Sequence, residues 1–218
     1  MRRRIRAFAV GAIGGAMLLA VSASAAAGSN TTTCTGELAP GSYGKVVVPE
    51  GALCQSEGPV TIHGGLVVGS GATFVLGSDE LPRDTGTITG GVRAVNPSGV
   101  QIHHTTIDGG IDIQGGSGPF GGPFEVTWNA IEDNHINGSV SIEGYNGFWF
   151  GFLGNHVNGS VRLNDNILED PDGNEYPSNV IHGTLQCVGN SPEAQFGDAG
   201  GEENQVTGPK TGQCAKLH

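Results

Sequence analysis

The sequence predicts an all-β fold, a right-handed, single-stranded parallel β-helix (solenoid) of about seven to eight coils. Three observations predict it: a recurring strand pattern, aliphatic residues in matching columns, and 39 glycines with only 14% charged residues. The pattern apolar–polar–Gly–x–apolar–x–apolar begins at Ile62, Ile88, Ile107, Ile136, Val157 and Ile181, with a broken copy at Val206. Its glycines stand 19 to 29 residues apart. A unit of this length, built of strands and turns, is typical of solenoids, although it does not fix the hand of the winding.

The aliphatic columns place the core. Within each copy the residues alternate between apolar and polar, as a strand with one buried face requires. Neighbouring coils of a solenoid lie about 4.8 Å apart, so each inward column packs along the axis. The three predicted inward columns are Ile62, Ile88, Ile107, Ile136, Val157, Ile181 and Val206; Leu66, Val92, Ile111, Val140, Val161 and Leu185; and Val68, Ala94, Ile113, Ile142, Leu163 and Cys187.

A second strand precedes the pattern in three coils, at residues 100–102, 129–131 and 150–152, with the outer members of each triplet inward. Between the two strands lies a polar column of Asn134, Asn155, Asn179 and Asn204. Stacked Asn side chains can bond from coil to coil and satisfy backbone groups at a turn. Asn also tolerates the left-handed backbone that such a corner needs.

Two motifs carry a resemblance. The segment Gly154-Asn155-His156-Val157-Asn158-Gly159 reads G-N-x-V-x-G, and the segment from Gly208 to Cys214 reads G-x-x-x-G-Q-C. Together they resemble small secreted right-handed parallel β-helix proteins of high-GC Gram-positive bacteria, which share the pectate-lyase-like superfold. That group has no established activity, so the resemblance supports the fold and implies no mechanism.

The chain is expected to comprise a signal peptide, residues 1–25, and one β-helix domain, residues 26–218. Four arginines near the start are followed by an apolar stretch at residues 7–21 and by a small-residue cleavage site, Ala23-Ser24-Ala25. This arrangement is typical of an export signal and too short for a spanning helix. Because no other apolar run could cross a membrane, we expect a soluble, secreted extracellular protein.

Four cysteines in an exported chain indicate two disulfides. Cys34 and Cys54 are 20 residues apart and Cys187 and Cys214 are 27 apart, about one coil in each case. We therefore predict these two pairs, each bridging neighbouring coils and capping one end of the stack. A four-thiolate metal site is the alternative, and the absence of a CxxC spacing disfavours it.

The net charge of −11 at pH 7 restricts the partners. Outside the predicted signal peptide the basic residues are Lys45, Arg83, Arg93, Arg162, Lys210 and Lys216, which form no patch. Binding of nucleic acid or an anionic membrane surface needs a basic face, so neither is expected. The acidity serves solubility alone or also cation binding.

Two tryptophans form the first candidate site. Trp128 and Trp149 are 21 residues apart in one register, and both are predicted to point outward. Stacked indoles could form a platform for sugar rings. The alternative is that the glycine-rich insert at residues 115–123 folds over them and forms a satellite core.

A histidine- and asparagine-rich face forms the second candidate site. His135 and His156 share one outward column, and His182 shares the adjacent column with Asp108, Asn137 and Asn158. Neighbouring imidazoles can bind Zn²⁺ or Cu²⁺ or transfer protons. Two neighbours without a firm third ligand are a weak signal for such a site, and the alternative is a solvated repeat face on which the Asn-His pair recurs.

One acidic loop suggests a metal. Asp170, Asp172 and Asn174 place oxygen ligands at alternate positions, as calcium loops do. The bidentate Glu of an EF-hand would fall at Ile181, so at most a looser Ca²⁺ site is expected, with a plain acidic loop as the alternative.

From these features we expect a secreted, non-catalytic β-helix protein that binds polysaccharide or cell-wall glycan as a monomer. One alternative is a polysaccharide lyase or hydrolase, which rests on fold analogy. A hydrolase needs a close carboxylate pair, and no such pair is expected on one outward column. The other alternative is a structural or assembly protein of the cell surface, against which the predicted end caps argue.

Overall fold

The computed structural model describes residues 30–78, 85–118 and 128–217. The predicted signal peptide, residues 1–25, and most of the glycine-rich insert lie outside these residues. The described part contains 25 short strands and one 3₁₀-helix: β1 Thr31–Thr33, β2 Gly41–Tyr43, β3 Lys45–Val48, β4 Leu53–Ser56, β5 Val60–Ile62, β6 Leu66–Val68, β7 Thr73–Leu76, β8 Gly86–Ile88, β9 Val92–Val95, β10 Gly99–His103, β11 Thr105–Ile107, β12 Ile111–Gln114, β13 Trp128–Glu132, β14 His135–Ile136, β15 Val140–Glu143, β16 Asn146–Gly147, β17 Trp149–Leu153, β18 His156–Val157, β19 Val161–Asn164, β20 Ile167–Leu168, β21 Asn174–Glu175, β22 Val180–Ile181, β23 Leu185–Val188, β24 Gln205–Val206, β25 Lys210–Gly212 and the helix η1 Gln213–Lys216.

These strands form a parallel β-solenoid of about seven turns, so the predicted all-β fold is confirmed. Sheet A has the order β1-β3-β6-β9-β12-β15-β19-β23-β25, sheet B the order β21-β17-β13-β10-β7-β4, and sheet C the order β2-β5-β8-β11-β14-β18-β22-β24. A two-stranded sheet D pairs β16 with β20. A regular coil passes through sheets B, C and A in turn, as β4, β5 and β6 do. No helix in the described ranges is long and apolar enough to span a membrane.

The predicted core columns are in register. In sheet C, Ile62 pairs with Ile88, and the column continues coil by coil to Val206. In sheet A, Leu66 leads a second column to Leu185. All the predicted column residues except the half-buried Val206 are buried. Each fully buried aliphatic side chain stabilises the coil by about 1.5–3 kcal/mol, which makes these columns the main source of stability.

The asparagine column lies at the corner between sheets B and C. The Oδ1 of Asn155 accepts the backbone N–H of Asn134 at 3.1 Å, and the Nδ2 of Asn155 donates to Ile131 O at 2.7 Å. Asn179 repeats this geometry one coil later. The left-handed backbone belongs to the preceding residue and not to the asparagine, as Asp133 has a φ of 54°. The column therefore serves hydrogen bonding, while the preceding residue makes the turn.

A second amide column lies after sheet A and was missed from the sequence. Asn166 Oδ1 accepts the backbone N–H of Tyr145, Asn190 Oδ1 accepts that of Asn166, and Gln213 Oε1 accepts that of Asn190, each at 3.0 Å. Asn166 and Asn190 stand one coil apart in the chain, a spacing that could have revealed them.

Both predicted disulfides are present. Cys34 is bonded to Cys54 and Cys187 to Cys214, with Cα–Cα distances of 5.5 and 5.2 Å. The first joins the opening coils, and the second ties η1 to sheet A. Leu217, which follows η1, is buried. The two ends of the described stack are therefore covalently closed.

Candidate functional site

A pocket of about 500 Å³ opens on the outer face of sheet B near the C-terminal end of the solenoid. It lies over strands β13, β17 and β21, and two connecting segments complete it, one before β21 and one before β24. Its lining consists of two aromatic side chains, four carboxyl groups and two smaller apolar side chains: Phe148, Trp149, Glu132, Asp170, Glu175, Asp198, Leu153 and Ala199.

Trp149 and Phe148 form the aromatic wall. Phe148 is 42% exposed, whereas Trp149 is half-buried. The indole lies across Gly151, because a Cβ at that position would meet the ring of Trp149 and a methyl group of Leu153. Strand register pairs Trp149 with Trp128, as predicted. The side chain of Trp128 lies outside the described part.

Glu175 is the central carboxyl group. It follows the inward Asn174 on β21, pairs in register with Gly151, and has no exposed surface. Its Oε2 accepts the backbone N–H of Ala199 at 3.1 Å. Its Oε1 is buried and has no hydrogen bond of normal geometry from the described residues, and the backbone at Gly197 packs directly against it.

Burial raises the pKa of Glu175 to about 7. Hydrogen bonding from the Trp149 side chain and the Ala199 backbone opposes this rise in pKa, while the neighbouring Asp198 carboxyl adds to it. A neighbouring carboxylate disfavours the ionised form of Glu175, which is why Asp198 acts in the same direction as burial. A carboxyl group with such a raised pKa in a concave site is a mark of functional sites, though structural networks also produce it.

The remaining charges of the pocket are also negative. Asp170 is half-buried and Asp198 is exposed at the rim. Glu132 is half-buried, with His103 Nδ1 at 3.6 Å from its Oε2. Lysine and arginine are absent from the lining as far as the described residues show it.

The carboxylate pair was not predicted, and the structure shows why. The outward position of Glu175 could have been predicted, because residues 174–176 continue the register of residues 150–152, with Phe150 opposite Asn174. Asp198 gave no signal, because it lies in a loop without strand periodicity. The expectation from the sequence concerned carboxylate pairs on one outward column, whereas this pair joins a strand to a loop.

The predicted calcium ligands do not converge in a simple way. Asp170 Oδ1 accepts the backbone N–H of Asp172 at 3.1 Å, which forms a local turn. Asn174 is fully buried, and its Oδ1 accepts the hydroxyl of Tyr176 at 2.5 Å. Asn174 therefore belongs to the core. No group of three or more His, Cys, Asp or Glu side chains in the described ranges could hold a metal ion.

The histidine and asparagine residues lie on the outer face of sheet C, apart from the tryptophans on sheet B. The ring centroids of His135 and His156 are 4.9 Å apart, as are those of His156 and His182. Asn137 Nδ2 donates to Asp108 at 2.9 Å, and Asn158 Nδ2 donates to Asn137 at 2.7 Å. The predicted histidine and asparagine columns are therefore in register, and their side chains contact largely one another.

The pKa of His156 is lowered from its ordinary 6.5 by its partial burial, and further by the charges of His135 and His182. The central imidazole is therefore neutral at physiological pH. A neutral imidazole can ligate a metal, but the ladder gives no convergent third ligand.

A shallow groove of about 460 Å³ also crosses sheet A. Its hydroxyl groups are used within the coil stack, since Ser139 Oγ accepts the backbone N–H of Ser160 and Ser160 Oγ accepts that of Thr184, each at 3.2 Å. Arg162 is held by Gln186 at 3.0 Å and by Glu143 at 3.6 Å. The groove has no aromatic wall, so the pocket on sheet B is the better candidate.

Fold and site together define a disulfide-bonded parallel β-solenoid with an acidic, aromatic pocket on one sheet. Comparison of the chain with protein-family models, with curated proteins and with solved structures found no match.

Proposed function

We propose that this is a secreted, non-catalytic protein that binds polysaccharide or cell-wall glycan in the pocket beside Trp149. The observation that carries the proposal is an aromatic wall, half-exposed at Trp149 and Phe148, standing next to carboxyl groups in a pocket built on a rigid sheet. The proposal extends to membership of the secreted bacterial group that the sequence motifs resemble.

The chemistry of the wall suits a sugar. The apolar face of a pyranose packs against an indole, and carboxylate oxygens accept its hydroxyl hydrogens. The volume of about 500 Å³ lies within the range of small-ligand sites, so it suits one or two sugar units. The two disulfides suit an oxidising, extracellular location.

The direct test is retention on insoluble glycans such as cellulose, chitin and purified cell wall. We expect Trp149→Ala to weaken retention about tenfold or more, since stacked aromatic residues dominate such contacts. Val188→Ala is the matched control, because Val188 is 46% exposed on sheet A, away from the pocket. Unchanged retention of Trp149→Ala with an intact melting temperature would overturn the proposal.

A subtler variant keeps the indole and moves it. Ala at position 151 requires no unusual backbone angle, but its Cβ would meet the Trp149 ring and Leu153. Both are side-chain ends, so the chain can fold with the indole displaced. We expect Gly151→Ala to weaken glycan retention and to shift the tryptophan emission while preserving the circular dichroism spectrum.

A second candidate is a polysaccharide-active enzyme, which the contact between Glu175 and Asp198 favours. A carboxyl group with a raised pKa can act as a general acid on a glycosidic oxygen. Release of reducing ends from a bound glycan by the native protein, abolished in Glu175→Gln, would replace the binding proposal. Absence of release over prolonged incubation would leave the non-catalytic function.

A further inference from the structure

We propose that residues 197–201 form a movable strap over sheet B, which the protonated carboxyl group of Glu175 holds closed and which lifts when this group ionises. The strap carries Asp198 and Ala199, which line the pocket, so its position sets the shape of the site. The movement itself needs no ligand, whereas its effect on glycan binding rests on the proposed function.

The strap is anchored at both ends by hydrogen bonds of the residues that flank it. Before it, Gln195 N–H donates to Asn174 O at 3.0 Å, and Tyr176 N–H donates to Gln195 O at 2.9 Å. After it, Ser178 N–H donates to Glu202 O at 2.8 Å, and Glu202 N–H donates to Ser178 Oγ at 2.9 Å. None of these bonds involves a titrating side chain, so the anchors persist when the strap lifts.

The backbone of the strap makes a single hydrogen bond within the part of the chain that the structure describes. In this bond Ala199 N–H donates to Glu175 Oε2 at 3.1 Å. All the strap residues are exposed. The first and the last, Gly197 and Gly201, have left-handed backbones with φ of 58° and 102°. Glycine exchanges left- and right-handed conformations at little cost, so these two residues can act as hinges.

Glu175 lies under the strap. Its carboxyl group has no exposed surface, and the backbone of Gly197 packs against Oε1. A buried carboxyl group is costly when it is ionised, and more costly beside a second carboxylate such as Asp198. Lifting the strap admits water to Glu175 and moves Asp198 away from it. Ionisation of Glu175 therefore favours the lifted state.

The other charged groups of the pocket do not compensate this ionisation. Asp198 on the strap, Asp170 on the segment before β21 and Glu132 on β13 all line the pocket with Glu175. His103 Nδ1 lies 3.6 Å from Glu132 Oε2. The described lining contributes no lysine or arginine, so the ionised Glu175 meets no fixed cation there.

The strap closes at low pH and lifts at high pH. Burial raises the pKa of Glu175 from its ordinary 4.5 to about 7, and Asp198 adds to this rise in pKa, whereas hydrogen bonds from Trp149 and Ala199 oppose it. The closed state therefore holds a proton that the lifted state releases between these two values. The equilibrium constant for closing is largest below about pH 4.5 and falls by a factor on the order of 100 as the pH rises to about 7.

Hydrogen exchange of single amides, followed by NMR, tests the strap without any ligand. Each exchange rate is divided by the rate of an unstructured peptide at the same pH, which gives a protection factor. We expect the protection factor of the Ala199 amide to fall about tenfold or more between about pH 5 and about pH 8, because the closing equilibrium weakens by more than that. The Glu202 amide should keep its protection, because its acceptor, Ser178 Oγ, does not titrate.

Three variants separate the latch from a general loosening of the loop. Glu175→Gln keeps the shape of the side chain and stays neutral, so the Ala199 amide should remain protected at both pH values. Asp198→Asn removes the neighbouring charge at an exposed residue and should reduce the fall in protection. Glu50→Gln, at an exposed residue outside the pocket, should behave as the native protein does. Equal falls in the native protein and Glu175→Gln, or no fall in the native protein, would overturn the inference. Circular dichroism confirms that each variant is folded.

Glycan retention at the same two pH values separates this inference from the proposed function. Because the strap carries part of the pocket wall, we expect the native protein to be retained more weakly at the higher pH and Glu175→Gln to be retained equally at both. Retention without any response of the Ala199 amide would overturn the latch and leave glycan binding standing. A response of this amide without retention on any glycan would overturn glycan binding and leave the latch standing.

Discussion

The outer face of sheet C and the pocket on sheet B differ in how they are built. The sheet C face consists of strand positions that recur in every coil, so His135 and His156 pair directly in register. The pocket combines strand residues such as Trp149 and Glu175 with Asp198 from a loop. Coil spacing alone therefore generates the first surface, whereas the second needs the inserts that interrupt the repeat.

The two regions also differ in how completely their polar groups are bonded. On sheet C, Asn137 bonds to Asp108, His135 and Asn158. In the pocket, an oxygen of Glu175 is buried without a normal hydrogen bond from the described chain. A repeat satisfies its own polar groups because each coil repeats the bond of the last. The irregular site has no neighbouring coil that repeats such a bond, so one oxygen stays without this kind of partner.

The largest expected effect tests the buried part of the repeat. Asn155→Ala removes the acceptor for Asn134 and the donor to Ile131, and all of these groups are buried. Because unsatisfied buried groups cost about 1–3 kcal/mol each, we expect a loss of about 3 kcal/mol or more in the free energy of unfolding. Denaturant unfolding followed by circular dichroism measures it.

Asn137→Ala is the matched comparison, because Asn137 also bonds from coil to coil but is exposed. Water replaces its partners, so the expected loss is below about 1 kcal/mol. Equal losses in the two variants would show that burial does not decide the contribution of an amide ladder.

The next effect concerns the pocket and pH. The pKa of Glu175 rises from its ordinary 4.5 to about 7 in the folded chain. Between these values the folded state holds more protons than the unfolded state, so this group lowers stability as the pH rises from about 4.5 to about 7. Glu175→Gln should gain melting temperature relative to the native protein across this window. If the melting temperatures of the native protein and the variant changed in parallel with pH, the raised pKa of Glu175 would be contradicted. Glu50→Gln, at an exposed residue outside the pocket, serves as the control.

The sequence predicted those parts of the structure in which residues of the same chemical type recur about once per coil. The columns led by Ile62 and Leu66, and the partners of Cys34 and Cys187, followed from spacing of about one coil. The corner geometry was only half predicted, because the left-handed residue is the one before the asparagine, as Asp133 is before Asn134. Asp198 could not be predicted, because its approach to Glu175 depends on the path of a loop that no local pattern records.

The smallest expected effect tests the exposed part of the repeat. The pKa of His156 is lowered by burial first, and then by the charges of His135 and His182. Folding therefore favours the neutral ring, and the stability that depends on it is lost as the pH falls below about 6.5. Replacing both neighbours with asparagine should raise the pKa of His156 toward, but not to, its ordinary value, because the burial remains.

Histidine titration by NMR measures this change in the pKa of His156. The control is His63→Asn, because His63 lies several coils away from His156 and bonds to Ser42. The shift should be small, because water and salt screen exposed charges. A pKa of His156 that does not move would mean that burial alone sets it. The histidine ladder would then be a geometric consequence of the repeat without electrostatic interaction between the rings. That result would widen the contrast with Glu175, whose pKa the neighbouring Asp198 carboxyl group raises further.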